Sequence, residues 1–268
     1  MTERPSFEIK VTSENLPRIR KEIAEKREEF GAKAVINDIR LYREKMIEAE
    51  LHEAAVDFFW EEYLYGKHLV MDERDIDKKG SERYDQGLEM MREMAKDAHQ
   101  CITEHNVEKK LTRSHRFMGE ISQFDGDYDS AVRHFSLAIS RFDDEKDFSQ
   151  RINGLELRGF LAEALVLTGA INEAIDLAVN TFEYYDKGDG AALKGKDYDT
   201  WAIWKSGVPI KVWHGVFDSN TSLSNKQRKI LENMLDQAES ILMVKETWAD
   251  FQRRKNEIVA IRGKLESY

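Results

Sequence analysis

The chain has 268 residues, with 41 Lys or Arg against 51 Asp or Glu, so its formal net charge at pH 7 is −10. Its single cysteine, Cys101, excludes a disulfide framework, and this length can bury a hydrophobic core without one. The acidic balance argues against a nucleic-acid partner, and 34% charged residues leave no apolar stretch long enough for a membrane span. The first residues lack the apolar core of a signal peptide, so we expect a cytoplasmic protein.

Helices are predicted along almost the whole chain. No proline occurs between Pro17 and Pro209, and apolar residues recur at spacings of three and four. Residues 1–12 are the exception, because their short alternating pattern predicts an extended N-terminal arm.

The N-terminal helices are predicted to occupy residues 13–110. Within this range the pattern indicates a helix over 13–30 closed by Gly31, then a long helix over about 33–65. A polar loop is expected over 71–80, and Ser81 is expected to begin the next helix.

Two segments further along the chain share a pattern with an offset of 43 residues. Gly126 aligns with Gly169 (169 minus 126 is 43), and Ala131 aligns with Ala174. Each segment reads as a helix, a glycine turn and a second helix with a small residue at its first close contact.

This pattern resembles the tetratricopeptide repeat. In that family a Gly or Ala in the first helix allows close approach, and an Ala-x3-Phe pair in the second helix fills the shared core. The first segment matches with Gly119, Ala131 and Phe135, whereas the second has Ala162 and has Ala178 in place of the aromatic residue. The resemblance implies an all-α, right-handed superhelical stack of antiparallel helix pairs, with about ten helices.

The resemblance also implies a domain order. Two repeats would occupy 111–188, preceded by degenerate repeats or a cap. Residues 189–268 would supply a glycine-rich loop, an aromatic segment and two C-terminal capping helices, over about 224–244 and 246–266.

In such a stack the first helix of each pair lines a concave groove that binds peptide segments of other proteins. The chain positions expected to face this groove are Arg113, Arg116, Glu120, Gln123 and Phe124 in the first repeat, and Glu156, Gly159, Glu163 and Val166 in the second. Some family members clamp a C-terminal carboxylate with Lys and Asn. Here Arg116 and Glu120 occupy those positions, so we expect a ligand with some positive charge instead.

The densest aromatic cluster follows the repeats and contains Trp201, Trp204 and Trp213. These rings either pack as the core that caps the stack or form an exposed surface that anchors a partner. Pro209 is expected to begin a new turn or helix between them.

Motifs of catalysis and of cofactor binding are incomplete. Residues 190–196 resemble a phosphate-binding loop, but Asp197 stands where a hydroxyl is needed, so we interpret the stretch as a flexible loop. His52 begins a zinc-protease pattern that lacks its second His, because Val56 stands there. Cys101 is interpreted as a small buried hydrophobe. We therefore expect no enzyme activity, no cofactor and no metal.

These observations predict a scaffold or adaptor that binds a peptide segment of a partner protein. The alternative is a regulatory sensor that binds a short peptide or a small molecule, with residues 188–195 as its hinge. Two short basic runs, at 226–229 and 253–255, are interpreted as solvated faces rather than as a nucleic-acid surface.

Overall fold

The computed structural model describes residues 10–74, 81–244 and 249–266. In this part of the chain there is no strand, which confirms the all-α class, and there are twelve helices longer than one turn rather than about ten. They are α1 Leu16–Phe30, α2 Ile36–Glu48, α3 His52–Arg74, α4 Glu82–Glu104, α5 Leu111–Phe124, α6 Tyr128–Asp143, α7 Asn153–Leu167, α8 Ile171–Tyr184, α9 Gly188–Lys196, α10 Tyr198–Asp218, α11 Asn225–Leu242 and α12 Ala249–Leu265. None of the described helices is both long enough and apolar enough to cross a membrane.

The chain divides into two compact units, Met1–Ile121 and Ser122–Tyr268. The division falls inside α5, which is the first helix of the better-matching predicted repeat. The predicted domain order stays a prediction, and most of the expected arm at 1–12 lies outside the described residues.

The long helix predicted over 33–65 is wrong, because the chain turns between α2 and α3. Glu50 has a φ of 57°, and the amides of Glu50 and Leu51 donate to the carbonyls of Ile47 and Met46 at 3.0 and 2.8 Å. This is the hydrogen-bond pattern of a Schellman C-cap, which normally has Gly or Asn at the left-handed position. The turn folds α3 back onto α2, and both helices contribute to one apolar core.

Two predictions about the next helices are partly confirmed. Helix α3 continues to Arg74, so the predicted loop is wrong over 71–74, and residues 75–80 lie outside the described part of the chain. Ser81 begins α4 as expected, and its hydroxyl accepts a hydrogen bond from the Tyr84 amide at 3.2 Å.

Helices α3 and α4 form the tightest helix pair of the first unit. A Cβ atom on Gly66 would lie 2.7 Å from the carbonyl oxygen of Gly87, and a Cβ on Gly87 would lie equally close to the Gly66 carbonyl. The absence of both side chains therefore determines how closely these antiparallel helices approach.

The second unit contains the helices of the predicted second repeat, α7 and α8. Gly169 has a φ of 85°, as the turn between them requires, and Gly126 has a φ of 77° before α6. The residues expected to fill the shared core are all fully buried, namely Ala131, Phe135, Ala162, Ala174 and Ala178. An additional helical turn at Phe148–Arg151, capped by Asp147, accommodates the long 43-residue offset.

Two predictions about the aromatic region are wrong. The glycine-rich stretch is helix α9 rather than a loop, and Gly190 allows close packing, since a Cβ there would lie 2.4 Å from the Cα of Tyr185. Pro209 lies inside α10 and does not begin a helix. Packing of α10 against α7 and α11 maintains the helix although the proline lacks an amide hydrogen.

Substituting Gly66 with Ala should destabilise the first unit by about 1–3 kcal/mol, because the new methyl group meets backbone of α4 that cannot rotate away. The free energy of unfolding from urea denaturation measures the effect. Gly263→Ala is the matched control, since a Cβ there has open space and Ala favours helix. Equal stability of Gly66→Ala and the wild type would contradict the close contact.

Candidate functional site

All five groove residues predicted for the first repeat lie on α5, and one of them, Glu120, is buried with its charge compensated. Its carboxylate accepts hydrogen bonds from the Tyr63 hydroxyl at 2.8 Å and from the Lys67 ammonium at 2.7 Å. Arg116 donates to it at 3.3 Å from the preceding turn. Glu120 is only 4% exposed. Its negative charge therefore serves the first unit itself, which weakens the case for a positively charged ligand at this position.

The electrostatics of Glu120 follow from these contacts. Burial by itself raises the pKa of a carboxyl group, but the charges of Lys67 and Arg116, with hydrogen bonds from Lys67 and Tyr63, outweigh burial and lower the pKa to about 2. The group is thus ionised in the folded protein at any pH near neutrality.

The other predicted residues of the first repeat are dispersed. The Arg113 guanidinium lies 4.5 Å from the centre of the Trp60 ring. Gln123 and Phe124 belong to the second unit and are half-buried, and the Gln123 side-chain oxygen has no hydrogen-bond partner.

The predicted residues of the second repeat converge on a lysine of α10. Glu156 and Glu163 of α7 both act electrostatically on Lys211. The Lys211 ammonium lies 4.3 Å from the centre of the Phe160 ring, and a Cβ on Gly159 would lie 3.4 Å from the lysine stem. Gly159 of α7 therefore lies directly beside the lysine side chain.

Helix α12 adds charges to the same place. A Cβ on Gly207 would lie 3.0 Å from the Lys211 nitrogen and 3.3 Å from a terminal nitrogen of Arg254. Arg254 donates to the Glu257 carboxylate at 2.6 Å, while its Nε is buried without a hydrogen-bond partner. Two cations thus lie side by side.

We call this group the charged face; its members are Glu156, Glu163, Lys211, Arg254 and Glu257. The basic run at 253–255, interpreted from the sequence as a solvated face, is half-buried at all three residues.

Lys211 is the member whose ionisation is most altered. It is 7% exposed. Burial, and then the like charge of Arg254, lower the pKa of Lys211 to about 8, although Glu156, Glu163 and Glu257 act in the opposite direction. Sequence reasoning missed this residue. The sequence feature that could have identified Lys211 is its position as a lysine inside the largely apolar run from Val208 to Val216.

The tryptophans divide between core and cavity. Trp213 is fully buried, Trp204 is half-buried, and Trp201 is 2% exposed with its indole nitrogen donating to the Tyr185 carbonyl at 2.8 Å. Core packing therefore describes Trp201 and Trp213, and any role of the three rings in partner binding stays a prediction.

Trp201 also lines a cavity of about 380 Å³. The ammonium of Lys194 lies 4.3 Å from the centre of its ring, and Lys205 pairs with Asp186 at 2.5 Å on the cavity wall. The other lining residues are Asp236, Gln237, Ser240 and Ile241. The volume is within the range of small-molecule sites, although the lining is more polar than is usual for them.

One group of side chains in the first unit has the composition of a metal site. Ligand atoms of His52, Cys101 and His105 all lie within 4.8 Å of one another. The spacing of Cys101 and His105 by four residues on one helix was the available sequence signal.

Comparison of the chain with protein-family models, with curated protein sequences and with solved structures finds no match. Its function is therefore inferred from the residues themselves.

Glu120→Gln should lower the free energy of unfolding by about 3 kcal/mol at pH 7, because the folded state lowers the pKa of this carboxyl from 4.5 to about 2. The stabilisation is fully present above pH 4.5 and is lost as the pH falls toward 2. Urea denaturation at several pH values should thus show the two proteins converging at low pH. Glu89→Gln, on the exposed surface of α4, is the control, and a loss that does not depend on pH would contradict this account.

Lys211→Met should stabilise the protein at pH 7 by about 1–3 kcal/mol, since it removes a buried cation whose pKa is lowered from 10.5 to about 8. Between pH 8 and 10.5 the unfolded state binds more protons at this residue, so wild-type stability rises with pH and the difference shrinks. Denaturation curves across this range measure the effect. Lys229→Met, on the exposed surface of α11, should change little. A destabilised Lys211→Met variant would instead mark the lysine as a structural partner of the carboxylates.

Proposed function

We propose that the protein is a non-catalytic scaffold that binds a peptide segment of a partner protein, with the peptide lying along the charged face. The observation that carries the proposal is the convergence of charged groups from α7, α10 and α12 on the buried Lys211 ammonium. The partner is another protein or peptide, and the proposal includes neither nucleic acid nor membrane.

The order of helix contacts in the second unit supports a stack of the tetratricopeptide type. Helix α7 packs against α8, its pair, and against α10. Helix α10 in turn packs against α11, its pair, and against α12. The first helices of successive pairs would therefore lie side by side, which is the arrangement that creates a concave groove in superhelical repeat proteins. Two of the predicted groove residues, Glu156 and Glu163, belong to the charged face.

The energetics of Lys211 support a role in binding. Nearly complete burial of a cation costs stability, and an apolar residue of similar size would pack at this position at lower cost. The other sides of α7 and α10 already supply the apolar core of the unit. A residue that disfavours folding is expected where it serves recognition instead.

A bound peptide would supply hydrogen-bond acceptors to the arginine side chains of α12. The buried Nε atoms of Arg253 and Arg254 have no acceptor, and an unsatisfied buried donor costs about 1–3 kcal/mol. The guanidinium groups of Arg253 and Arg254 are half-buried rather than enclosed, and backbone carbonyls or a carboxylate of a peptide would pair with their accessible side. The proposed ligand therefore presents hydrogen-bond acceptors and is not selected by positive charge alone.

A regulatory sensor is the second candidate, and the cavity beside Trp201 favours it. A small molecule with a carboxylate would meet the ammonium groups of Lys194 and Lys205 there. The proposed hinge at 188–195 needs revision, because these residues are helical in α9. A conformational change on ligand binding would therefore have to move α9 as one rigid helix.

Selection from a random-peptide display library tests the scaffold proposal. Peptides selected on the wild-type protein are synthesised with a fluorescent label, and their dissociation constants are measured by fluorescence polarisation. We expect Lys211→Met to weaken binding by about tenfold or more, as the loss of a buried charged contact does, and Lys229→Met to leave it unchanged.

Two outcomes would contradict the proposal: selection that yields no binding peptide, or equal affinity for both variants and the wild type. Tryptophan fluorescence of the same complexes separates the two candidates. Binding without a spectral change supports a passive scaffold, and a change that accompanies binding supports the sensor.

A further inference from the structure

The open end of the α3–α4 pair brings together three side chains that ligate metals. His52 is the first residue of α3, Cys101 lies in the last turn of α4, and His105 caps that helix. His52 and Cys101 each lie about four helical turns from the contact between Gly66 and Gly87. Because the helices are antiparallel, this equal distance places the two side chains opposite each other.

The arrangement of the three side chains is compact and incompletely satisfied. Their ligand atoms lie within 4.8 Å of one another. The Nδ1 atom of His52 is buried and has no hydrogen-bond partner. Cys101 is 8% exposed, whereas His105 is exposed, so an ion would enter from the side of His105.

We propose that His52, Cys101 and His105 form a Zn²⁺-binding site that clamps the open end of the α3–α4 pair. Two imidazole nitrogens and one thiolate are a ligand set that zinc favours, and they leave a fourth tetrahedral position for water or for a further ligand. Binding releases the thiol proton of Cys101 to solvent.

Coordination requires a small rearrangement. Tetrahedral bond lengths place neighbouring nitrogen and sulfur ligands about 3.3–3.6 Å apart, which is closer than the present limit of 4.8 Å. The imidazole rings of His52 and His105 are stacked with centroids 3.4 Å apart and planes 3° from parallel. A single ion cannot lie in both ring planes, so one ring must turn. His105 can do so, because it is exposed beyond the last helical turn and the rest of the core need not move.

Helix geometry allows Cys101 and His105 to act together. Residues four apart lie on the same side of a helix, one turn from each other. The chain then leaves the helix at Asn106, whose φ of 53° ends α4 immediately after the histidine. His52 is held from the other helix by the turn at Glu50. Zinc would thereby join the beginning of α3 to the end of α4.

Titration of the full-length, metal-free protein with Co²⁺ and then with Zn²⁺ tests the site. We expect one cobalt ion per chain, with a thiolate-to-cobalt charge-transfer band that Zn²⁺ abolishes. Zinc should also raise the melting temperature. His105→Ala, which changes an exposed residue, should weaken zinc binding at least about tenfold. Cys101→Ala should remove the charge-transfer band, and His68→Ala, on the exposed surface of α3, is the control.

Several outcomes would overturn the site: no bound metal, a cobalt spectrum without a thiolate band, or zinc affinity that neither His105→Ala nor Cys101→Ala reduces. Because His105→Ala leaves the core intact, a folded variant with undiminished zinc affinity is decisive even if Cys101→Ala fails to fold. This result is independent of peptide binding at the charged face.

Discussion

Glycine residues allow two pairs of helices to cross at close range, and these two crossings determine where both candidate sites lie. In the first unit, Gly66 and Gly87 bring α3 and α4 together, and this contact fixes the register that places His52 opposite Cys101. In the second unit, a Cβ on Gly215 would lie 3.0 Å from the Cβ of Val166, so α10 approaches α7 closely there. One turn earlier on α10, Lys211 is consequently held among the charges of α7. Larger residues at these crossings would separate the helices and disperse both groups of side chains.

The buried charges of the two units differ in how well neighbouring groups compensate them. Glu120 has hydrogen bonds and opposite charges that outweigh its loss of hydration, so it is an internal structural group. Lys211 has acidic neighbours, but burial and Arg254 outweigh them. A compensated charge adds to stability and a poorly compensated one reduces it, which explains why Lys211 rather than Glu120 is the better candidate for recognition. Both residues are almost inaccessible, so exposure alone would not distinguish them.

Local sequence rules predict the structure correctly where the turn or helix cap at a position suits only a few residue types. Gly126 and Gly169 take the left-handed conformation that their turns require, and Ser81 caps α4. The rules fail where packing overrides preference. Glu50 takes a left-handed φ that usually belongs to Gly or Asn, because folding α3 back onto α2 buries both apolar faces. Pro209 likewise remains inside a helix that its neighbours hold.

The sequence by itself determined the helical class, the cap of α4 at Ser81 and the glycine turns and small residues of the two aligned segments, since helical periodicity and capping depend on neighbours within a few positions. It also placed Glu156 and Glu163 on a common side of α7. Only the tertiary structure decided that these carboxylates meet Lys211 and Arg254, and that His52 meets Cys101. These contacts depend on which helices cross and in what register, and both are determined by packing between residues far apart in the chain.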